Sequence, residues 1–126
     1  MTNSISEAIA DIKNGKMVIV VDSEDRENEG DVVMAAEKIT PDAVNFMITH
    51  CKGLICVPLT HARLEKLNLV QMVRKNEEYH NTKFTISVDS MPTTTGISAY
   101  DRYETIRDLI NEEKKTEHFR RPGHIF

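Results

Sequence analysis

Six carboxylates, Asp22, Glu24, Asp25, Glu27, Glu29 and Asp31, fall within ten residues directly after the apolar run Met17-Val18-Ile19-Val20-Val21. Charges of one sign repel at that density, so they persist either in a fully solvated turn or around a cation. Arg26 and Gly30 lie inside the cluster. An arginine can hold an anion beside a metal, and a glycine lets backbone approach a ligand. On extended backbone, Glu27, Glu29 and Asp31 would share one side through their period-two spacing. Hard oxygen donors of that kind suit Mg²⁺ or Mn²⁺, which keep waters and also take substrate oxygens. The plain alternative is a solvated acidic turn. An EF-hand fits poorly: counting from Asp22, the obligatory glycine falls on Glu27, and strands rather than helices flank the loop.

Three further places carry reactive groups. Thr93-Thr94-Thr95-Gly96 precedes a helix that Ser98 can cap, so hydroxyls, loop amides and a positive helix end together offer a phosphate cradle. Runs of this kind also serve as simple caps. Arg121-Pro122-Gly123-His124 sets His124 on a rigid turn beside arginines, where it could act as a general acid or base near an anionic substrate. The alternative is an ordinary exposed histidine. Cys56 sits in an apolar run and reads first as a small core hydrophobe. His50, His61, His80 and His118 show no ligand spacing and read as surface or helix-face residues.

The elements that must position these groups follow a short order. Ser4-Ile5-Ser6-Glu7 is a capping box for a first helix with Ile5, Ala8, Ile9 and Ile12 in a stripe and Gly15 as its stop. Met17 to Asp22 reads as a buried strand and Val32 to Ala36 as a second. Thr40-Pro41 starts a helix to about Cys51, Gly53 to Leu59 is a third buried strand, and a short helix follows Thr60. Residues 68–81 lack a period and read as a long loop, a length that is usually functional or mobile. Lys83 to Asp89 alternates as a half-buried strand, the Ser98 helix runs to about Asn111, and Thr116 starts another turn. The order predicts one α+β domain over residues 1–126, a mixed sheet with helices packed on it.

Composition narrows the function. With 40% hydrophobic and 29% charged residues the chain is an ordinary globular sequence. A net charge of −4 without a basic stripe argues against nucleic acid, and no apolar run reaches membrane-spanning length. The N-terminal segment lacks the basic and apolar regions of a leader, and Cys51 and Cys56 form neither a disulfide framework nor a zinc pattern. A cytoplasmic location is the expectation. Ile125-Phe126 reads as the opening of another strand at the point where the sequence stops, so the expectation is of a domain incomplete at its C-terminus.

Three segments, Asp25-Arg26-Glu27-Asn28-Glu29-Gly30-Asp31, Thr94-Thr95-Gly96-Ile97-Ser98-Ala99 with Asp101-Arg102, and Arg121-Pro122-Gly123-His124, together resemble the 3,4-dihydroxy-2-butanone 4-phosphate synthase family. They occur in the family's order, and the resemblance covers essentially the whole chain. It implies a Mg²⁺- or Mn²⁺-dependent lyase of riboflavin biosynthesis that converts D-ribulose 5-phosphate to 3,4-dihydroxy-2-butanone 4-phosphate and formate. It implies Glu27 as metal ligand, Arg26, Glu27, Asp31, Thr94 and Thr95 as substrate contacts, His124 as a catalytic residue and Cys56 as a cysteine at the active site. A homodimer with its sites at the subunit interface is implied as well. Ser23 and Asn81 depart mildly from the family pattern. The Gly-His-Thr-Glu-Ala segment that supplies the family's second metal ligand, and a later catalytic acid, are not in these 126 residues. The expectation is therefore a fragment with weak metal binding and little activity alone, with a GTP cyclohydrolase II domain as a possible downstream fusion. An inactive remnant kept as a dimerisation or interaction module is the alternative, and a cation-binding domain built on the acidic loop is a third.

Overall fold

The structure is a computed structural model and describes residues 3–126. Met1 and Thr2, part of the segment read for a leader, lie outside the described residues. Local chemistry sets the helices. Ser4 and Glu7 form the expected reciprocal cap of α1 (Ile5–Lys13), with the Ser4 amide donating to Glu7 Oε2 at 2.8 Å. Gly15, at φ +78°, closes it. The Thr40 hydroxyl accepts from Ala43 N at 3.1 Å and starts α2 (Pro41–Phe46), which continues as a wider π turn over Met47–Cys51. Thr60 caps α3 (His61–Leu67) and Ser98 caps α4 (Ala99–Ile110). Each cap is where the sequence places it.

The strands differ more from expectation. β1 (Val18–Val21) and β2 (Gly30–Val33) pair antiparallel, with Val21 opposite Gly30 across the acidic loop. This hairpin is not buried: Ile19 is 73% exposed and Val21 61%, while Val18 and Val32 are half-buried. The stripe on α1 is only partly covered: Ile5 is 77% exposed and Ile9 48%, while Ala8 and Ile12 are half-buried. β3 is only Val88–Ser90 and pairs antiparallel with β4 (Phe119–Ile125). The expected half-buried alternation over Lys83 to Asp89 is absent: Phe84 to Ile86 are each half-buried and Ser87 to Ser90 are all buried. Ahead of it, Met72 N donates to Phe84 O and Ile86 N to Val70 O, so the long loop begins with a short antiparallel pairing. The Gly53–Leu59 run is extended but forms no ladder, and only Ile55 within it is buried. Phe126 N donates to Ile55 O and Phe126 O accepts from Val57 N, spanning Cys56 as parallel strands do. The class is α+β as expected, with two small antiparallel sheets in place of one mixed sheet. Ile125 lies in β4, opposite Val88.

The core forms where α4 packs against α2 and against the β3–β4 pair. Val44 of α2, Leu67 of α3, Val88 of β3, Leu109 of α4 and Ile125 of β4 are each at most 2% exposed and belong to one cluster. Arg63 of α3 is buried with them and ties α3 to the end of α4 through four carbonyls. No described helix is long and apolar enough to cross a membrane.

Candidate functional site

The acidic loop is organised by its first carboxylate. Asp22, at the end of β1, accepts the amides of Glu27 and Glu29, each at 2.8 Å, one on each oxygen, and the Arg26 guanidinium at 3.1 Å. The N–H groups of Glu29 and then Glu27 hold the Asp22 carboxyl below its ordinary range, with the charge of Arg26 adding to them. Asp22 is thus engaged by the loop's own backbone. Asn28 takes a left-handed conformation, φ +51°, and only Gly30 and Asp31 of the cluster lie in a strand. That bend removes the extended geometry on which a shared side for Glu27, Glu29 and Asp31 depended. What remains distinctive is Glu27: its side chain is 25% exposed, Arg26 Nη2 donates to its Oε1 at 3.3 Å, and His80 Nδ1 approaches the same oxygen at 3.9 Å. The long loop before β3 therefore returns to the acidic loop at His80, the one histidine outside His124 that reaches a candidate residue. Glu29 is exposed.

Asp31 is exposed on β2 and its charge acts on Cys56. Cys56 is exposed as a residue, contrary to the buried position expected. Its thiol is nevertheless partly shielded, and this shielding, then the field of Asp31, push its pKa up. A raised thiol stays protonated at neutral pH and is a poor nucleophile.

The threonine loop is built around Asp101 in the first turn of α4. Its carboxylate accepts the Thr94 hydroxyl at 2.7 Å and the amides of Thr94 and Gly96 at 3.2 and 3.1 Å. On the other side, Arg120 Nη2 donates to Thr93 Oγ1 at 2.7 Å and to Thr94 O at 3.2 Å. Thr94 and Thr95 remain exposed on this scaffold. Two of the loop amides offered for a phosphate cradle, and the Thr94 hydroxyl with them, are already engaged by Asp101. The Thr94 hydroxyl, followed by the two amides, holds the Asp101 carboxyl low. A depressed carboxylate adds stability that is complete above its unfolded value, about 3.9, and is lost as pH falls through the folded value. Melting temperature is accordingly expected to drop as pH is lowered from 5 towards 2, and Asp101→Asn to flatten that drop while lowering stability at pH 7. Scanning calorimetry across that range checks it.

His124 is placed by an interruption in β4. Val88 pairs with Ile125 but Asp89 pairs with Arg120, so residues 121–124 bulge from the ladder. The expected turn is this bulge. His124 N donates to Asp89 Oδ1 at 2.9 Å, and its Nδ1 lies 2.8 Å from Asp89 Oδ2. The Asp89 side chain is 7% exposed and that of His124 39%. Two glycines make the room. A Cβ on Gly123 would stand 2.1 Å from the Val88 carbonyl carbon, and one on Gly96, φ +84°, would stand 2.0 Å from Asp89 Oδ2. Asp89 is the partner of His124 that sequence reasoning missed; a carboxylate closing an otherwise alternating strand was the available signal. Gly96→Ala is expected to cost about 2–4 kcal/mol from the left-handed backbone and the clash, and to displace Asp89 from His124. Thermal unfolding and the amide NMR shift of His124 report the two effects separately.

Asp89 thus joins the threonine loop to His124. Among the described residues no hydrogen bond or ion pair joins the acidic loop to that pair, and no group of three or more His, Cys, Asp or Glu side chains is gathered as a metal site.

A family model described as 3,4-dihydroxy-2-butanone 4-phosphate synthase matches residues 6–126. Riboflavin biosynthesis protein RibBA of Bacillus cereus (strain AH187) is 54% identical over 126 residues, which is all of this chain and 32% of that protein. RibBA of Bacillus cytotoxicus is 52% identical over the same span. A crystal structure of 3,4-dihydroxy-2-butanone 4-phosphate synthase in complex with two magnesium ions superimposes with a TM-score of 0.95 at 46% identity, over 99% of this chain and 59% of that one. The cation-free form gives 0.91 at 44% identity, over 100% and 58%. The chain thus spans about a third of the length of these curated relatives.

Proposed function

The chain belongs to the 3,4-dihydroxy-2-butanone 4-phosphate synthase family, and from that membership we propose that it carries out, or forms part of a protein that carries out, the conversion of D-ribulose 5-phosphate to 3,4-dihydroxy-2-butanone 4-phosphate and formate in riboflavin biosynthesis. The observation that carries this reading is the match in sequence and fold over essentially the whole chain, with all three motif segments inside it. The five-carbon phosphate gives a four-carbon phosphate and a one-carbon acid with no external oxidant, and water lost early is restored as formate leaves.

The loop chemistry fits a divalent cation. Mg²⁺ binds through one or two carboxylates, water and substrate oxygens rather than in an all-protein cage, so the lack of a three-residue cluster among the described residues is compatible with it. Glu27 would hold the ion; Asp22 is engaged by loop amides and is not a free ligand. The ion is Mg²⁺ or Mn²⁺, both of which take hard oxygen donors. When bound, the cation supplies Lewis acidity to the ketone and neighbouring hydroxyl oxygens of the sugar. The chain's own groups do the rest. Arg26 and Asp31 bind the substrate, and the Thr94 and Thr95 side chains orient the phosphorylated end. His124 moves protons at its ring as the carbon skeleton rearranges, and Cys56 lines the site as a neutral thiol beside Asp31.

The protein works in the cytoplasm and as a homodimer, and the apolar side chains of β1 left exposed in the single chain support the association. It uses neither nucleic acid nor membrane. The runner-up, an inactive module that only dimerises, draws on the same exposed face. Formate appearing from ribulose 5-phosphate with Mg²⁺, and suppressed by a chelator, supports the lyase; its absence from the protein that carries this chain favours the module.

A further inference from the structure

The threonine loop between β3 and α4 is held from two sides by groups of opposite charge. Asp101 takes the Thr94 hydroxyl at 2.7 Å and the Thr94 and Gly96 amides at 3.2 and 3.1 Å. Arg120, which pairs with Asp89 across β3 and β4, reaches the loop from the strand side. Its Nη2 donates to Thr93 Oγ1 at 2.7 Å and to the carbonyls of Thr93, of Ser90 at 3.3 Å and of Thr94 at 3.2 Å. Thr93 is 7% exposed, and its hydroxyl hydrogen goes to Ser90 O at 2.7 Å, so its oxygen is left to accept from Arg120. One nitrogen thus serves every contact. Among the described residues no hydrogen bond engages Arg120 Nε or Nη1, and the residue is exposed. Thr95 is exposed too, and among the described residues no hydrogen bond engages its amide or its hydroxyl.

An anion arriving at Thr94 and Thr95 meets the Asp101 carboxylate bonded to the same loop, and like charges at that range repel. Among the described residues Arg120 is the cation hydrogen-bonded to the loop. We propose that Arg120 is the positioning residue of the threonine loop, fixing Thr93 and Thr94 from β4 and supplying the positive charge that lets Thr94 and Thr95 receive a phosphate beside Asp101. A guanidinium suits both tasks, because it is always charged and can bond carbonyls through one nitrogen while its other N–H groups stay free. This rests on the reading of Thr94 and Thr95 as holders of the phosphorylated end of the substrate. It adds the group that offsets Asp101 there.

The test titrates inorganic phosphate into the ¹⁵N-labelled protein and follows the amide NMR shifts of Thr94 and Thr95. Both are expected to move saturably in the wild type, and Arg120→Met is expected to need about tenfold more phosphate for half-saturation. With ribulose 5-phosphate the same variant is expected to raise KM about tenfold while kcat stays within about threefold, the pattern of binding lost equally from ground and transition states. A role in folding alone would reduce the active fraction, and so kcat, and leave KM and the phosphate titration unmoved. Arg120→Lys keeps the charge and is expected to stay within about threefold of wild type in both measurements. Wild-type amides unmoved by phosphate overturn the proposal without any variant, so a poorly folded Arg120→Met cannot shield it. Equal half-saturation in wild type and a folded Arg120→Met overturns it, as does an Arg120→Lys no better than Arg120→Met. If phosphate titrates as expected but the wild type releases no formate, the proposed reaction fails and the role of Arg120 at the loop stands.

Discussion

Replacing Glu27 with glutamine is expected to lower formate release from ribulose 5-phosphate by about 10²–10³-fold, the scale seen when an electrostatic stabiliser of a transition state is lost. The amide keeps the shape of the side chain and removes the charge that would hold a divalent cation. The loop itself should survive, because Asp22 holds the backbone N–H of Glu27 and not its side chain. The ion pair with Arg26 that is lost is on the surface, 3.3 Å long with Arg26 60% exposed, and such pairs contribute little. The expected result is therefore a large loss of kcat with a melting temperature close to wild type. Glu29→Gln should retain most of the rate. Equal losses in the two variants would move the role from one residue to the charge of the loop as a whole.

The largest effect on stability is expected at Arg63. Its side chain is 5% exposed and donates to Leu109 O at 2.9 Å, Lys114 O at 3.1 Å, Asn111 O at 2.6 Å and Asp108 O at 3.4 Å. Asp108 and Leu109 are in the last turn of α4, whose carbonyls have no partner within the helix. A guanidinium there satisfies those groups and places positive charge at the negative end of the helix. Arg63→Met fills similar volume but removes the donor to Leu109 O and Lys114 O, while Asp108 O and Asn111 O keep the amides of Asn111 and Lys114. Each charge-assisted bond contributes about 1.5–3 kcal/mol, partly offset by regained freedom, so a net loss of about 3–5 kcal/mol is expected. That is a large share of a total stability of about 5–15 kcal/mol. Melting should fall by on the order of 10–20 °C, measured by circular dichroism. A fall of a few degrees would mean that water replaces Arg63 at the end of α4.

How far this molecule was legible beforehand depends on the range of the physics involved. Helix starts were legible because a cap is chosen by its own residue and the amides two or three places on; Ser4, Thr40, Thr60 and Ser98 each accept the bond that their position requires. Burial was not. Met17 to Val21 is as apolar as a core strand, but burial needs a partner layer, and Ile19 and Val21 find none among the described residues. The motif residues were legible by type and resemblance, whereas their partners were not. Asp22 was one more acid in an acidic run, and its two backbone bonds make it the loop's organiser. Asp101 stood in a motif without a task, and it carries the threonine loop. Asp89 meets His124 across 35 positions of sequence, and only the bulge in β4 brings them together. No local pattern encodes that contact.

The central claim is that the acidic loop presents Glu27, and not simply its collected charge, to a divalent cation. Mn²⁺ binding followed by electron paramagnetic resonance tests it on the chain directly, without depending on turnover. Wild type and Glu29→Gln should bind Mn²⁺ with similar affinity, Mg²⁺ should compete, and Glu27→Gln should weaken binding by at least about tenfold. Undiminished Mn²⁺ binding in a folded Glu27→Gln would contradict the claim.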